Sequence, residues 1–325
     1  MTIPVLVGVT AITFGVSHSV PGDPARAFAG PYADQATIAA IRHHWGLDRP
    51  LLDQYWTYLT HVVRGDFGTS VQSHNSVLHD VGSRLPATLE LTIFALIVMC
   101  VVGIALGVAA ATWRDRLPDY AGRVIAVGGA AIPSFWLALI LQLVFFRQLN
   151  WLPAAGRLGD FTAPPHHVTG FYLFDSAVTG NWSVFVDALR HVLLPGITLA
   201  LLGIAGITRM TRTSMLEVLE KDYIRAARAR GIRPRDVVLR HALRNAMIPT
   251  VTIIGLLFGS MIGGALVIEW IFSWPGVGTY AANAITQLDY TAIMGVAVVI
   301  AVIYLIANLL VDISYMILNP RIREA

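Results

Sequence analysis

A lysine able to reach a terminal phosphate occurs once in these 325 residues, as Lys221. Glu220 precedes it and Asp222 follows it. The Gly-Lys-Ser/Thr core of a phosphate-binding loop is therefore absent, and with it that route to nucleotide hydrolysis. Histidines could hold a metal or move protons. His43-His44 and His166-His167 are adjacent pairs, and His61, His74 and His79 lie between them. Adjacent residues diverge on a helix, whereas an i, i+4 pair shares a face, so ordinary loop or interfacial histidines explain them better than a metal site. Gly259-Ser260 lacks the G-x-S-x-G elbow of a serine hydrolase. The single Cys100 lies in an apolar stretch and allows neither an intrachain disulfide nor a cysteine metal cluster. Glu90, Glu269 and Asp312 stand near the ends of apolar stretches, where snorkelling or interfacial pairing suffices. A proton-coupled carrier would place an acid at mid-membrane, and a membrane hydrolase would need a converging serine or metal site. Neither pattern is present, and no catalytic or metal residue is assigned.

Composition says where such a chain must live. It is 55% hydrophobic and only 13% charged, with a mean hydropathy of +0.64. A soluble domain carries roughly a quarter charged residues, so this surface cannot be wetted by water alone. The excess of basic residues then fits arginines holding loops on the cytoplasmic side, not a nucleic-acid partner. Nothing near the start resembles a cleavable signal peptide: the first apolar run lacks a basic flank, and Val20-Pro21-Gly22-Asp23-Pro24 is not a small-residue cleavage site.

About 20 apolar residues cross a bilayer as a helix. Six stretches qualify: Ile3–Val20, Leu89–Thr112, Val124–Phe146, Val192–Thr208, Ile248–Phe272 and Thr291–Leu318. The fourth is the least apolar. The fold class expected is thus an all-α polytopic membrane protein, one domain over residues 1–325. Arg114, Arg116 and Arg123, the basic stretch after the fourth span, and Arg321 with Arg323 share one side, which positive-inside makes cytoplasmic. Both termini then lie inside. The outer segment 19–87 balances five arginines against six aspartates. It holds helix-like runs (Asp34–His44, Leu51–Val63) and reads as a small folded cap. A second outer loop, 147–190, is rich in Gly, Pro and aromatics. Gly255, Gly259 and Gly263 recur every four residues in the fifth span, as Gly103 and Gly107 do in the second. Such faces let helix backbones approach closely, within the bundle or against a second membrane subunit.

The stretch from Arg209 to Asn245 organises the rest. It holds ten basic residues against four acids. From Thr213 to Arg230 one helix is expected, because Leu216, Leu219, Tyr223 and Ala226/Ala227 recur at spacings of three and four. Gly231 ends it as a left-handed cap, Pro234 suits the first turn of a second helix, and Pro249 opens the fifth span. A membrane-surface loop with arginines on anionic lipid would also fit. The small residues Ala226, Ala227 and Gly231 make a low knob that could enter a groove on a partner.

Arg225-Ala226-Ala227-x-x-x-Gly231, ending in Ile248-Pro249, resembles the EAA loop of binding-protein-dependent ABC importer permeases. The flanks Asp222–Gly231 and Leu239–Asn245 resemble the dipeptide/oligopeptide/nickel branch. So do Pro21-Gly22-Asp23-Pro24, Gly46–Pro50, Arg64–Gly68, Arg84–Thr88 and Phe272-Ser273-Trp274-Pro275-Gly276-x-Gly278. The resemblance covers nearly the whole chain. It implies the MetI-like fold with six spans and a coupling helix within the cytoplasmic loop 209–246. Asp222, Tyr223, Arg225, Ala226, Ala227 and Gly231 would meet a partner ATPase. It further implies a second permease sharing the pore, two ATPase subunits that bind ATP and Mg, an extracytoplasmic solute-binding protein, and a peptide or, alternatively, nickel as solute. No cofactor is expected in this chain. Three positions depart from the pattern: Arg225 where an acid opens the motif, Arg233 in place of a small capping residue, and Asn319 before Pro320-Arg321.

Overall fold

The computed structural model describes residues 2–19, 24–29, 33–44 and 46–318. Among the described residues there are helices and no strands, with one isolated antiparallel bridge between Thr69 and Ser76. Pro21-Gly22-Asp23 and Asn319-Pro320-Arg321, named above, lie outside the described residues. The chain divides into two compact units, one holding residues up to Thr88 with Pro275–Leu305, the other Leu89–Trp274 with the residues from Ile306 on.

The first unit begins with the apolar helix α1 (Thr2–Ser19), followed by α2 (Pro24–Ala29), α3 (Gln35–His44) and α4 (Leu51–Val63). The last two match the helical runs expected in the cap. The opening turns of α5 (Val77–Thr112) pack with α13 (Val277–Thr286) and α14 (Tyr290–Leu318) around Val77, Val81, Val277, Tyr280, Ala292 and Val296. Asp289 caps α14 through the amide of Ala292 at 3.1 Å. Its other oxygen accepts from the Ser70 hydroxyl at 2.6 Å and the Val71 amide at 2.8 Å. One buried carboxylate thus ties the cap to the last helix. The Val277 amide donates to Thr88 Oγ1 at 2.8 Å.

The second unit is built around α9 (Trp182–Leu219), 38 residues long. Packed on it are α6 (Leu117–Ala131), α7 (Ser134–Leu141), α8 (Tyr172–Val178) and α12 (Leu243–Ile271). The least apolar predicted span is therefore the most buried: its Gly, Thr and Pro residues face protein, not lipid. Later α5 turns lie against α9 at Gly103 and Gly107. A Cβ on Gly107 would stand 2.5 Å from Thr211 Cβ and 2.9 Å from the Thr208 carbonyl, and one on Gly103 2.8 Å from Ile207. The Thr208 hydroxyl donates to the Gly103 carbonyl at 3.3 Å. These two glycines serve packing within the chain. Gly255 is buried in α12, Gly259 is half-buried, and Gly263 is exposed with nothing within 4 Å of a Cβ.

Among the described residues, four helices are long and apolar enough to cross a membrane: Val77–Thr112, Trp182–Leu219, Pro234–Ile271 and Tyr290–Leu309. They overlap the second, fourth, fifth and sixth predicted spans. The first and third correspond to the shorter apolar stretches Pro4–Val16 and Ser134–Gln148. The third differs most from expectation. Proline crowds the residue before it out of the helical region. Ile132 is accordingly extended, and the run divides into α6 and α7, the latter continuing as a π-helical segment, Gln142–Gln148.

Two carboxylates seat the second outer loop. Asp175 accepts from the amides of Val168, Thr169 and Gly170 and from the Thr169 hydroxyl, at 2.6–3.2 Å. Glu90 accepts from Arg157 at 2.5 Å and from the Leu173 amide at 2.7 Å. Arg157 also lies 3.5 Å from the Tyr172 ring centroid. Of the two expectations for Glu90, snorkelling and interfacial pairing, the structure shows pairing. The Glu90 side chain is 5% exposed, held by an arginine brought in from 67 residues away. The side chain of Asp312 lies outside the described ones.

Gly107→Ala is expected to lower the thermal midpoint of the purified complex, at a cost of about 1–3 kcal/mol for overpacking. Gly82→Ala in the same helix, where a Cβ meets nothing within 4 Å, should leave it unchanged, and equal midpoints would contradict the packing role. For Asp175, burial pushes the carboxyl up, but its four hydrogen bonds outweigh that and hold it below its ordinary 3.8. A depressed folded value stabilises above the unfolded value and is lost as pH falls through the folded one. Amide exchange at residues 168–170 should stay slow down to about pH 4 and quicken below it. Asp175→Asn should quicken it at every pH.

Candidate coupling site

The expected single helix from Thr213 to Arg230 is two. α9 ends at Leu219, and Lys221 is extended (φ −70°, ψ 149°) before α10 (Asp222–Ala229) begins. Nothing in Glu220-Lys221 opposes a helix, so the break follows from packing. Ile224 and Ala227 turn inward and bury against Ala111, Met215, Val237, Ala242 and Ala246. An inward-facing helix of two turns could not reach that cluster while continuing the axis of α9.

This seat decides which residues a partner can touch. Asp222, Tyr223, Arg225 and Ala226 are exposed, with Arg228, Ala229 and Arg230 beside them. Ala227 is 7% exposed and belongs to the seat. Asp222 lies in the first turn, where a negative charge suits the helix dipole. Its ion pair with Arg225, 3.4 Å apart, is so exposed that it contributes little. The Asn245 side-chain amide donates to the Tyr223 hydroxyl at 2.8 Å, fixing the outer face to the returning helix.

Gly231 ends α10 with φ +74°. Its amide donates to the Arg228 carbonyl at 3.0 Å, and that of Ile232 to the Ala227 carbonyl at 3.3 Å. These are the two bonds of a Schellman motif. They satisfy carbonyls that a partner would otherwise have to leave dry, and a Cβ at Gly231 would meet nothing within 4 Å. The tip is therefore bare and self-sufficient in hydrogen bonds. Arg233 caps α11 (Pro234–Asp236) without a side-chain hydrogen bond. A π-helical segment, Val237–Ala242, leads straight into α12, so Pro249 lies inside one continuous helix instead of opening a new one.

One contact escaped the sequence. Asp119, fully buried, accepts from Arg212 Nε at 2.7 Å and from its terminal nitrogen at 3.0 Å. The Asp115 amide adds a third bond at 3.1 Å. This bidentate pair fixes α6 to α9 two turns before α9 ends. Ninety-three residues separate the partners. The cap histidines do not converge: His43 pairs with Asp48 and His61 with Asp66, each at 2.8 Å.

Residues 103–324 match the family described as binding-protein-dependent transport system inner membrane component. Residues 1–92 match its N-terminal companion. The chain belongs to this family. The permease is 44% identical over 98% of its length to the "Probable D,D-dipeptide transport system permease protein DdpB" of Escherichia coli (strain K12), covering 94% of that protein. It is 41% identical to the dipeptide transport system permease protein DppB of Alkalihalophilus pseudofirmus, over 99% of this chain and 97% of the relative. It is 40% identical to the glutathione transport system permease protein GsiC of Salmonella choleraesuis, over 99% and 95%. A chain of the MetNI methionine ABC transporter in an inward-facing conformation aligns with a TM-score of 0.53 at 15% identity, covering 72% of this chain and 93% of that one. That likeness concerns the fold. The permease is thus an all-helical, multi-pass inner-membrane protein of the MetI-like type.

Asp119→Asn should leave part of the Arg212 charge buried without a partner. Breaking a buried pair costs about 3 kcal/mol at the low end, fitting an arginine that keeps 23% of its surface. Amide exchange should quicken across residues 115–123 and the end of α9, and unchanged exchange would remove the pair from the seat of the coupling loop.

Proposed function

We propose that the permease forms half of a translocation pathway for di- or oligopeptides in an ATP-driven importer. A second permease supplies the other half, an extracytoplasmic binding protein delivers the solute, and two cytoplasmic ATPase subunits bind ATP and Mg. The chain itself has no ATPase site and acts as a transporter subunit with both termini in the cytoplasm. The observation carrying this reading is the bare, hydrogen-bond-satisfied tip at Gly231, mounted on α10 and seated on α5, α9 and α12. A seated tip moves with its spans, as transmission requires. The ATPases drive alternating access only if their open and closed states hold the tip with different free energy. Relatives named for dipeptide and glutathione transport support a peptide solute. Gly263, exposed on α12 with nothing within 4 Å of a Cβ, leaves room for the close approach of a helix from a second subunit.

The defining measurement is binding-protein-stimulated ATPase activity of the reconstituted complex, screened against peptides and Ni²⁺. Stimulation by peptide is expected, whereas stimulation by Ni²⁺ alone would reassign the solute. Replacing Gly231 with leucine forces a side chain into the left-handed region, at about 1–2 kcal/mol of strain, and blunts the tip. Uptake should fall while expression and membrane insertion hold. Normal uptake at normal expression would sink the coupling role.

A further inference from the structure

Helix α4 carries three distinct faces, and one of them has no partner among the described residues. The first packs on α1. Gln54 meets His18 at 3.1 Å, and the Tyr55 hydroxyl meets Thr10 at 3.1 Å. The Phe14 ring lies 5.4 Å from that of Tyr55 and 6.0 Å from that of Tyr58. The second face is polar and exposed, with Asp53, Thr57, His61 and Arg64. The third is oily. At about 100° per residue, Leu52, Trp56, Leu59 and Val63 fall within an arc of roughly 60°. Leu52 is 82% exposed, Trp56 66% and Val63 80%. This arc borders the α1-facing side and lies away from the polar one.

We infer that this oily arc lies in the outer leaflet of the bilayer, so that α4 is a membrane-interface helix and not part of a water-exposed cap. The position of the contacts on α1 carries the argument. His18 and Thr10 are eight residues apart, about 12 Å along a helix axis. α4 therefore lies beside α1, not above its end. On α1, Val5, Ile12 and Val16 are exposed on the face turned away from Thr10, Phe14 and His18. In an apolar helix of an inner-membrane component that surface faces lipid, so α4 packs along a lipid-facing helix. The division of α4 suits an interfacial helix, with aliphatic residues and a tryptophan down and polar residues up. Exposure of so much contiguous apolar surface to water would be costly.

The inference rests on α1 being a membrane span, and the test separates the two. In a Cys100→Ala background that retains uptake, single cysteines replace Leu52, Trp56 and Val63, then Asp53, Thr57 and His61, and finally Ile12 and Val16. Each is spin-labelled in the full complex, in nanodiscs of phosphatidylethanolamine and phosphatidylglycerol. Collision with oxygen is compared with collision with a water-soluble nickel chelate. Oxygen-to-chelate ratios at 52, 56 and 63 should match those at 12 and 16 and exceed those at 53, 57 and 61 severalfold. Low ratios on the oily arc with high ratios at 12 and 16 would overturn the inference and leave the span intact. Low ratios at 12 and 16 as well would overturn both. Labels at 52, 56 and 63 that become immobile and inaccessible to both agents on adding the binding protein would show a protein dock there, which also overturns it.

Discussion

At Gly103 and Gly107 only hydrogen separates α5 from α9. In lipid there is no hydrophobic drive to bring two apolar helices together, because the tails are as oily as the side chains. What remains is close packing, many weak dispersion contacts between backbones that can touch. The second unit follows from that contact. Once α5 and α9 share a seam, α9 stands in the interior with α6, α7, α8 and α12 around it. Its Gly196 and Gly203 then accept Phe94 and Met99 of α5 along the same seam. A helix so enclosed need not be very apolar, and α9 is the least apolar of the spans.

Packing alone does not fix how helices are rotated, and two buried arginine–carboxylate pairs add that specificity. Glu90–Arg157 holds loop 147–190 and Asp119–Arg212 joins α6 to the end of α9. A buried charge is expensive unless its partner arrives with good geometry, so any register that separates either pair is strongly disfavoured. The bidentate fork of Arg212 makes this a directional constraint as well as an energetic one. Beyond the second pair the chain presents a short helix, α10, whose inner residues Ile224 and Ala227 belong to the core and whose outer residues are exposed.

Much of this was legible in the sequence, for reasons that can be named. Hydropathy marks the spans α5, α12 and α14. Gly231 marks the end of α10 because left-handed backbone is cheap only for glycine. The helices α3 and α4 follow the helix-like runs Asp34–His44 and Leu51–Val63. The illegible parts share one cause, a dependence on residues distant in sequence. Glu220-Lys221 carries no breaker, and only the cluster around Met215 and Val237 shows why the helix stops there. Ala226 and Ala227 look interchangeable, yet one is exposed and the other sits in the core. The ion pairs join residues too far apart for any pattern to connect. Pro133 was visible, but whether it kinks or divides a span depends on what packs beside it.

The unbroken length of α9 makes it a lever. Thirty-eight residues at 1.5 Å each span about 57 Å, from the Asn181 cap on the outer loop to the edge of the coupling loop. Rotating such a rod by about 5° about one end carries the other about 5 Å, the height of roughly one helical turn. A small rocking motion at the Leu219 end of α9 therefore becomes a displacement the size of a side chain at the Asn181 end. The same arithmetic runs backwards, so a displacement at the Asn181 end is carried to the start of α10 with no rearrangement inside α9.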